Sequence, residues 1–211
     1  MKNTIAFTLV LAFFITAALL SGCQNKKAPE ETGKSTQKTS ETATVTCEAK
    51  TAFNGKAGDI LDQIIKKAIE LDTDKEYGIE SIECSHNAID SDNCTDILGL
   101  TTEEFTAGVE EAVESKPEGS WFTHSIVVVK AKDGTDAAAL AEKIVKNTKP
   151  NRFGCLKPEA IVGGYAGQYI VFTASSSTSC EAVYQALSAL SAIAPTRIDR
   201  TNDWSGGGLN G

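Results

Sequence analysis

The chain of 211 residues carries two histidines, His86 and His124, and six cysteines, at positions 23, 47, 84, 94, 155 and 180. His124 sits in a β-rich stretch, and the run Ser175-Ser176-Ser177-Thr178 offers hydroxyls to pair with it. A Ser–His nucleophile also needs an orienting acid and an oxyanion hole. No G-x-S-x-G elbow marks any of these serines, so the run reads more simply as a turn feeding a helix cap. Both imidazoles then read as surface or hydrogen-bonded polar residues. Asp90-Ser91-Asp92-Asn93-Cys94-Thr95-Asp96 starts like a calcium loop. Such a loop needs Gly at its sixth place and a bidentate Glu at its twelfth, and those places hold Thr95 and Thr101. An acidic, solvated turn is the expectation. Glu110, Glu111 and Glu114 read as the solvated face of a helix.

Cys23 has different chemistry available. Met1-Lys2-Asn3 is a short basic start, and Ile5 to Leu20 is apolar except for Thr8 and Thr16. The run has the length of a signal-peptide core and is short for a membrane span. It ends in Leu20-Ser21-Gly22-Cys23, which resembles a bacterial lipobox. Small residues before the cut let an extended peptide enter a narrow protease cleft, and the thiol can carry a diacylglyceryl group by thioether. The pattern predicts removal of residues 1–22 and a lipid anchor at Cys23 on the extracytoplasmic face of the cell membrane. One chain holds weakly, whereas two or three hold stably. No other cofactor is expected.

Five cysteines remain, so at most two bridges form and one thiol is left over. An exported location permits disulfides. Cys84 and Cys94 flank a polar loop that a bridge would staple, and they are the preferred pair; Cys155 with Cys180 is the second. The alternative is small buried thiols. No C-x-x-C is present, which argues against thioredoxin-like redox chemistry and a zinc ribbon.

Charge bounds the partners. The chain has 20 Lys+Arg against 28 Asp+Glu, a net charge of −8. Phosphate backbones want basic surfaces, so nucleic acid is not an expected partner. Residues 24–45 are Lys, Glu, Ser and Thr with no large apolar side chain before Val45, too polar to bury a core. This reads as a flexible tether spanning roughly 25 Å root-mean-square. Ser35-Thr36-Gln37-Lys38 matches S-x-x-K, but it lies in this tether with no companion K-T-G. Residues 46–211 hold 15 basic against 25 acidic side chains.

The elements that must position these groups follow from periodicity. Ala57 to Leu71 puts Ile60, Leu61, Ile64, Ile65, Ala68 and Ile69 on one side, an amphipathic helix. Tyr77 to Cys84 reads as a strand. Thr101 to Glu104 forms a capping box opening a helix to about Glu114 that buries Phe105, Val109 and Val113. Trp121 to Lys130 is rich in β-branched and aromatic residues, a strand. Thr135 to Asn147 is a helix with Leu140, Ile144 and Val145 inward. Pro150 to Pro158 is a loop, and Ile161 to Thr173 a hairpin turning near Ala166-Gly167. Thr178 to Glu181 reads as a second capping box, starting a helix that buries Val183, Leu187 and Leu190 and ends before Pro195. The predicted fold is α+β: a small, mostly antiparallel sheet with helices packed largely on one face, a two-layer sandwich. One domain is expected over residues 46–195, with residues 196–211 a flexible tail.

From about Trp121 to Leu190 the sequence resembles a family of small Gram-positive lipoproteins catalogued as a domain of unknown function. The resemblance rests on Ile126-Val127-Val128-Val129, Lys130-Ala131-Lys132-Asp133, the helix after them, the Pro-containing loop, the hairpin Gly164-Tyr165-Ala166-Gly167-Gln168-Tyr169-Ile170-Val171-Phe172 and the closing helix. It implies an envelope location and a compact α+β fold, and no activity. The stretch 47–115 departs from the family pattern. The sequence therefore favours a membrane-anchored, non-catalytic binding or accessory module that holds an envelope protein or a small ligand. The alternative is an envelope hydrolase using His124 or the acidic 90–96 loop.

Overall fold

A computed structural model describes residues 53–119, 122–154 and 156–200, all within the compact unit Cys47–Gly211. The lipobox, Cys23, the tether and residues 201–211 lie outside the described residues. Six strands form one antiparallel sheet in the order β1-β2-β3-β5-β4-β6. They are β1 Cys84–Ala88, β2 Val109–Pro117, β3 Ser125–Ala131, β4 Ala160–Ala166, β5 Tyr169–Ser175 and β6 Thr196–Arg200. The helices are α1 Ala57–Leu71, α2 Cys94–Ile97, α3 Thr102–Gly108, α4 Ala137–Asn147 and α5 Ser177–Leu190.

The architecture is the expected α+β sandwich with an antiparallel sheet, but helices cover both faces rather than largely one. On one face α1 and α5 pack Ile60, Leu61, Ile64, Val183 and Leu187 over Ile126, Val128 and Val171. On the other, α4 and the Leu98–Leu100 segment pack over Val127, Val129, Ile170 and Phe172. Burial on both faces is why the β3 centre reads as an unbroken Ile-Val-Val-Val run rather than an alternation. Gly163 lets α4 close on the sheet, since a Cβ there would lie 2.5 Å from Val145 Cγ2. Gly99 has φ +64° and backs onto Asn147 at the end of α4, so a side chain would meet both backbone strain and a clash.

Five expectations are corrected. The Thr101 capping box is present, with Glu104 N donating to Thr101 Oγ1 at 3.2 Å and Thr101 N to Glu104 Oε2 at 3.0 Å. Its helix stops at Gly108, however, and Val109–Pro117 is a strand paired on both sides. Two neighbouring ladders outweigh the helix propensity of Glu110 to Glu114. The strand expected over Tyr77 to Cys84 begins only at Cys84; a 3-10 turn occupies Ile79–Ser81. Asp72 pins this segment by accepting from Asp74 N at 3.1 Å and Ile79 N at 3.0 Å. The cap of α5 is Ser176, accepting from Ser179 N at 3.2 Å, so Thr178 falls inside the first turn. Leu190, expected in the core, is 36% exposed. Finally, residues 196–200 are not tail. They form β6, in register with β4 from Tyr165↔Thr196 to Ile161↔Arg200, and Ile198 packs against the core. A single apolar residue in Thr-Arg-Ile-Asp-Arg is too weak a signal to identify an edge strand by alternation.

Candidate functional site

The starts of β1 and β3 and the ends of β2 and β5 meet at one end of the sheet, as the pairings Cys84↔Pro117, Ser115↔Ile126 and Ser125↔Ala174 require. His124, just before β3, and Ser175, the last residue of β5, point to the α1/α5 face. His124 Nδ1 lies 2.9 Å from Ser175 Oγ, and His124 is 1% exposed. Burial pushes the imidazole pKa down from 6.5 to about 4, while the nearby Asp72 charge pulls it back up. The ring is therefore neutral at pH 7, with one nitrogen a donor and the other an acceptor. Asp72 Oδ2 also accepts from Ser179 Oγ at 2.9 Å, which locks the turn after α1 to the first turn of α5.

On the opposite face, β2 and β3 present Glu114 and Ser125, both wholly buried. Arg152, in the 3-10 turn after α4, reaches down to them. Its Nη2 donates to Glu114 Oε1 and to Ser125 Oγ at 2.6 Å each, and Ser125 Oγ donates to Glu114 Oε1 at 2.6 Å. The guanidinium lies 4.6 Å from the Phe153 ring centroid, which fixes its plane. Arg152 Nε and Glu114 Oε2 are buried with no hydrogen-bond partner. A buried donor and acceptor left open beside one ion pair are costly unless something else occupies them.

Three clefts converge on His124. The largest, about 550 Å³, runs over the Ser85/Asn87 face of β1 between Lys116, Phe122, Arg152 and Phe153. A second, about 210 Å³, has His124, Ser175 and Ser176 in its floor and Tyr77, Phe122 and Leu156 at its rim. Those three rim side chains are 63%, 42% and 44% exposed, and they account for most of the large apolar surface the described residues show to solvent. The third, about 200 Å³, lies under α1 and is lined by Ile65, Ile69, Ile79, Ile82, Cys84 and His86. The first of these volumes is in the usual range for a small-molecule site.

The sequence-predicted residues fall as follows. Cys84 and Cys94 do not pair; both are free thiols. Cys84 opens β1, whereas Cys94 lies past its far end, where Asn93 Nδ2 donates to Ala88 O at 3.3 Å. A five-residue strand separates them by roughly 13 Å, beyond the ~7 Å Cα reach of a disulfide. Cys94 is instead buried against Leu100 O, at 3.7 Å. Cys180 is also a free thiol, pushed up to about 12 by burial, and Cys155 lies outside the described residues. His86 is at the sheet edge, 3.3 Å from Asp62 Oδ1. The 90–96 segment is a turn built on Asp90 Oδ1, which accepts from Asp92 N at 2.9 Å and Asn93 N at 3.3 Å. The three glutamates are not a helix face. Glu110 pairs with Lys130 at 2.8 Å, Glu111 Oε2 caps α1 by accepting from Ala57 N at 2.9 Å, and Glu114 is core. Reasoning from sequence missed Glu114, Ser125 and Arg152 as a set, and the only available signal was a lone Arg near Phe153 in a Pro-led loop. No helix among the described residues is long and apolar enough to cross a membrane. No protein-family model, curated protein or solved structure matches the chain.

Proposed function

We propose that this chain is a lipoprotein anchored through Cys23 at the extracytoplasmic face of the cell membrane, and that its folded domain is a non-catalytic binding or accessory module. The lipobox pattern and the polar tether support the anchor. The convergence of three clefts on His124, with exposed Tyr77, Phe122 and Leu156 at the mouth, carries the binding reading. Monomeric proteins seldom leave such side chains clustered without an occupant. A neutral imidazole and two serine hydroxyls in the floor give that occupant polar contacts inside an apolar rim. The test is a photo-reactive benzoylphenylalanine at Phe122 in the full-length lipoprotein, irradiated in living cells. A discrete adduct at Phe122 that is absent with the probe at the remote Glu142 is expected. The same adducts from both positions would refute the site.

The distance of 2.9 Å between His124 and Ser175 favours one second reading, an envelope hydrolase. It has less support. Asp72 spends its carboxylate on Ser179 and two backbone amides rather than on the imidazole, and a base of pKa about 4 is weak at neutral pH. Labelling of Ser175 by a fluorophosphonate, lost in His124→Ala, would replace the binding reading.

A further inference from the structure

The β1 edge deepens that reading by naming the kind of partner. Among the described residues, β1 pairs only with β2 and forms one edge of the sheet. Ile89 N donates to Ala112 O at 2.8 Å, which sets the phase of the ladder. In an antiparallel pair the residues alternate between inward-bonded and outward-facing. Residues 85, 87 and 89 therefore bond inward, and Cys84, His86 and Ala88 turn their amides and carbonyls outward. Two observations agree with this phase. Pro117, which has no N–H, lies opposite Cys84, and Ala88 O accepts from the Asn93 side chain outside the ladder.

Side chains of β1 alternate between two clefts. Ser85 and Asn87 line the 550 Å³ cleft of Lys116 and Arg152, while Cys84 and His86 line the 200 Å³ cleft of Ile65, Ile69, Ile79 and Ile82. A strand laid along this edge would send successive side chains into the same two clefts, because facing residues on neighbouring strands share a face. The isoleucine cleft suits an apolar side chain. The other offers the Lys116 ammonium and the Asn87 amide, with Arg152 in its wall, which suit a carboxylate or amide oxygen.

We infer that β1 is a docking edge for an extended segment of a partner protein, which adds as a further strand and alternates apolar with acidic or amide side chains. The inference rests on the binding reading above. A second copy of this chain is a poorer occupant. Its own β1 (Cys-Ser-His-Asn-Ala) offers no large apolar side chain for the isoleucine cleft.

The test uses the full-length protein in detergent and a fluorescein-labelled peptide alternating Ile and Glu, in both registers and both strand directions, read by anisotropy and amide hydrogen exchange. Binding is expected, with exchange slowed at Cys84, His86 and Ala88. His86→Pro removes an outward N–H without touching the β1–β2 ladder, and an edge tolerates Pro there. It should weaken binding by about tenfold or more while circular dichroism stays unchanged. Ile69→Glu, at a half-buried position of α1 that lines the apolar cleft, should weaken binding separately by charging that cleft. Three results overturn the inference: no binding by any peptide at millimolar concentration, binding unaffected by His86→Pro, or a dimer in sedimentation that His86→Pro dissolves. A Phe122 adduct that persists in cells alongside any of these keeps the clefts as a site and removes only the strand addition.

Discussion

Replacing Arg152 by Leu tests whether the Arg152–Glu114–Ser125 set holds the sheet to the loop above it. Glu114 is completely buried and the Arg152 side chain is 10% exposed, so solvent screens this pair poorly. The substitution leaves the Glu114 carboxylate in the core with one donor, Ser125 Oγ. Breaking one side of a buried pair costs about 3–5 kcal/mol, most of it the price of an uncompensated charge. For a domain of this size that is a fall of roughly 6–20 °C in Tm. The control is the double variant Arg152→Leu with Glu114→Met, which removes both charges and should recover to within about 1 kcal/mol of the parent. Urea unfolding followed by circular dichroism, on the chain from residue 23 with Cys23→Ser, gives both numbers, and an unchanged m-value would show that the unfolded state is not responsible. A single variant costing under about 1 kcal/mol, or a double variant no better than the single, would refute the reasoning.

Three other outcomes are expected. The His124 pKa is 6.5 unfolded and about 4 folded, so both states are neutral above pH 6.5 and only the unfolded state takes up a proton between those values. Stability should fall by up to about 3 kcal/mol as pH drops from 6.5 to 4, and His124→Gln should flatten that slope in urea titrations. Cys180, buried and raised by that burial, should resist maleimide in the native protein and react in urea, the half-buried Cys84 should react faster than Cys180, and peptide mapping should show no disulfide between Cys84 and Cys94. Cys23→Ser should abolish incorporation of labelled palmitate and release the protein from the membrane fraction; retention after signal cleavage would argue against the lipid anchor.

Sequence by itself determined the parts governed by local periodicity. Helix α1 has the bounds its 3.6-residue apolar pattern sets, the β4–β5 hairpin turns at Gly167-Gln168, one residue past the expected place, and the Thr101 capping box forms because both of its bonds lie within four residues. Tertiary structure decided the rest. Val109–Pro117 has glutamates at helical spacing, yet it becomes a strand because β1 and β3 complete its ladders from sequence positions far away. Glu114 changes from a surface charge to a core ion only because Arg152, 38 residues later, arrives above it. β6 is a strand because β4 offers an open edge, not because its own residues ask for one. The same holds for the site. His124 was visible as a residue, but the meeting of strand ends that gathers three clefts around it depends on strand order, and strand order is written in no local pattern.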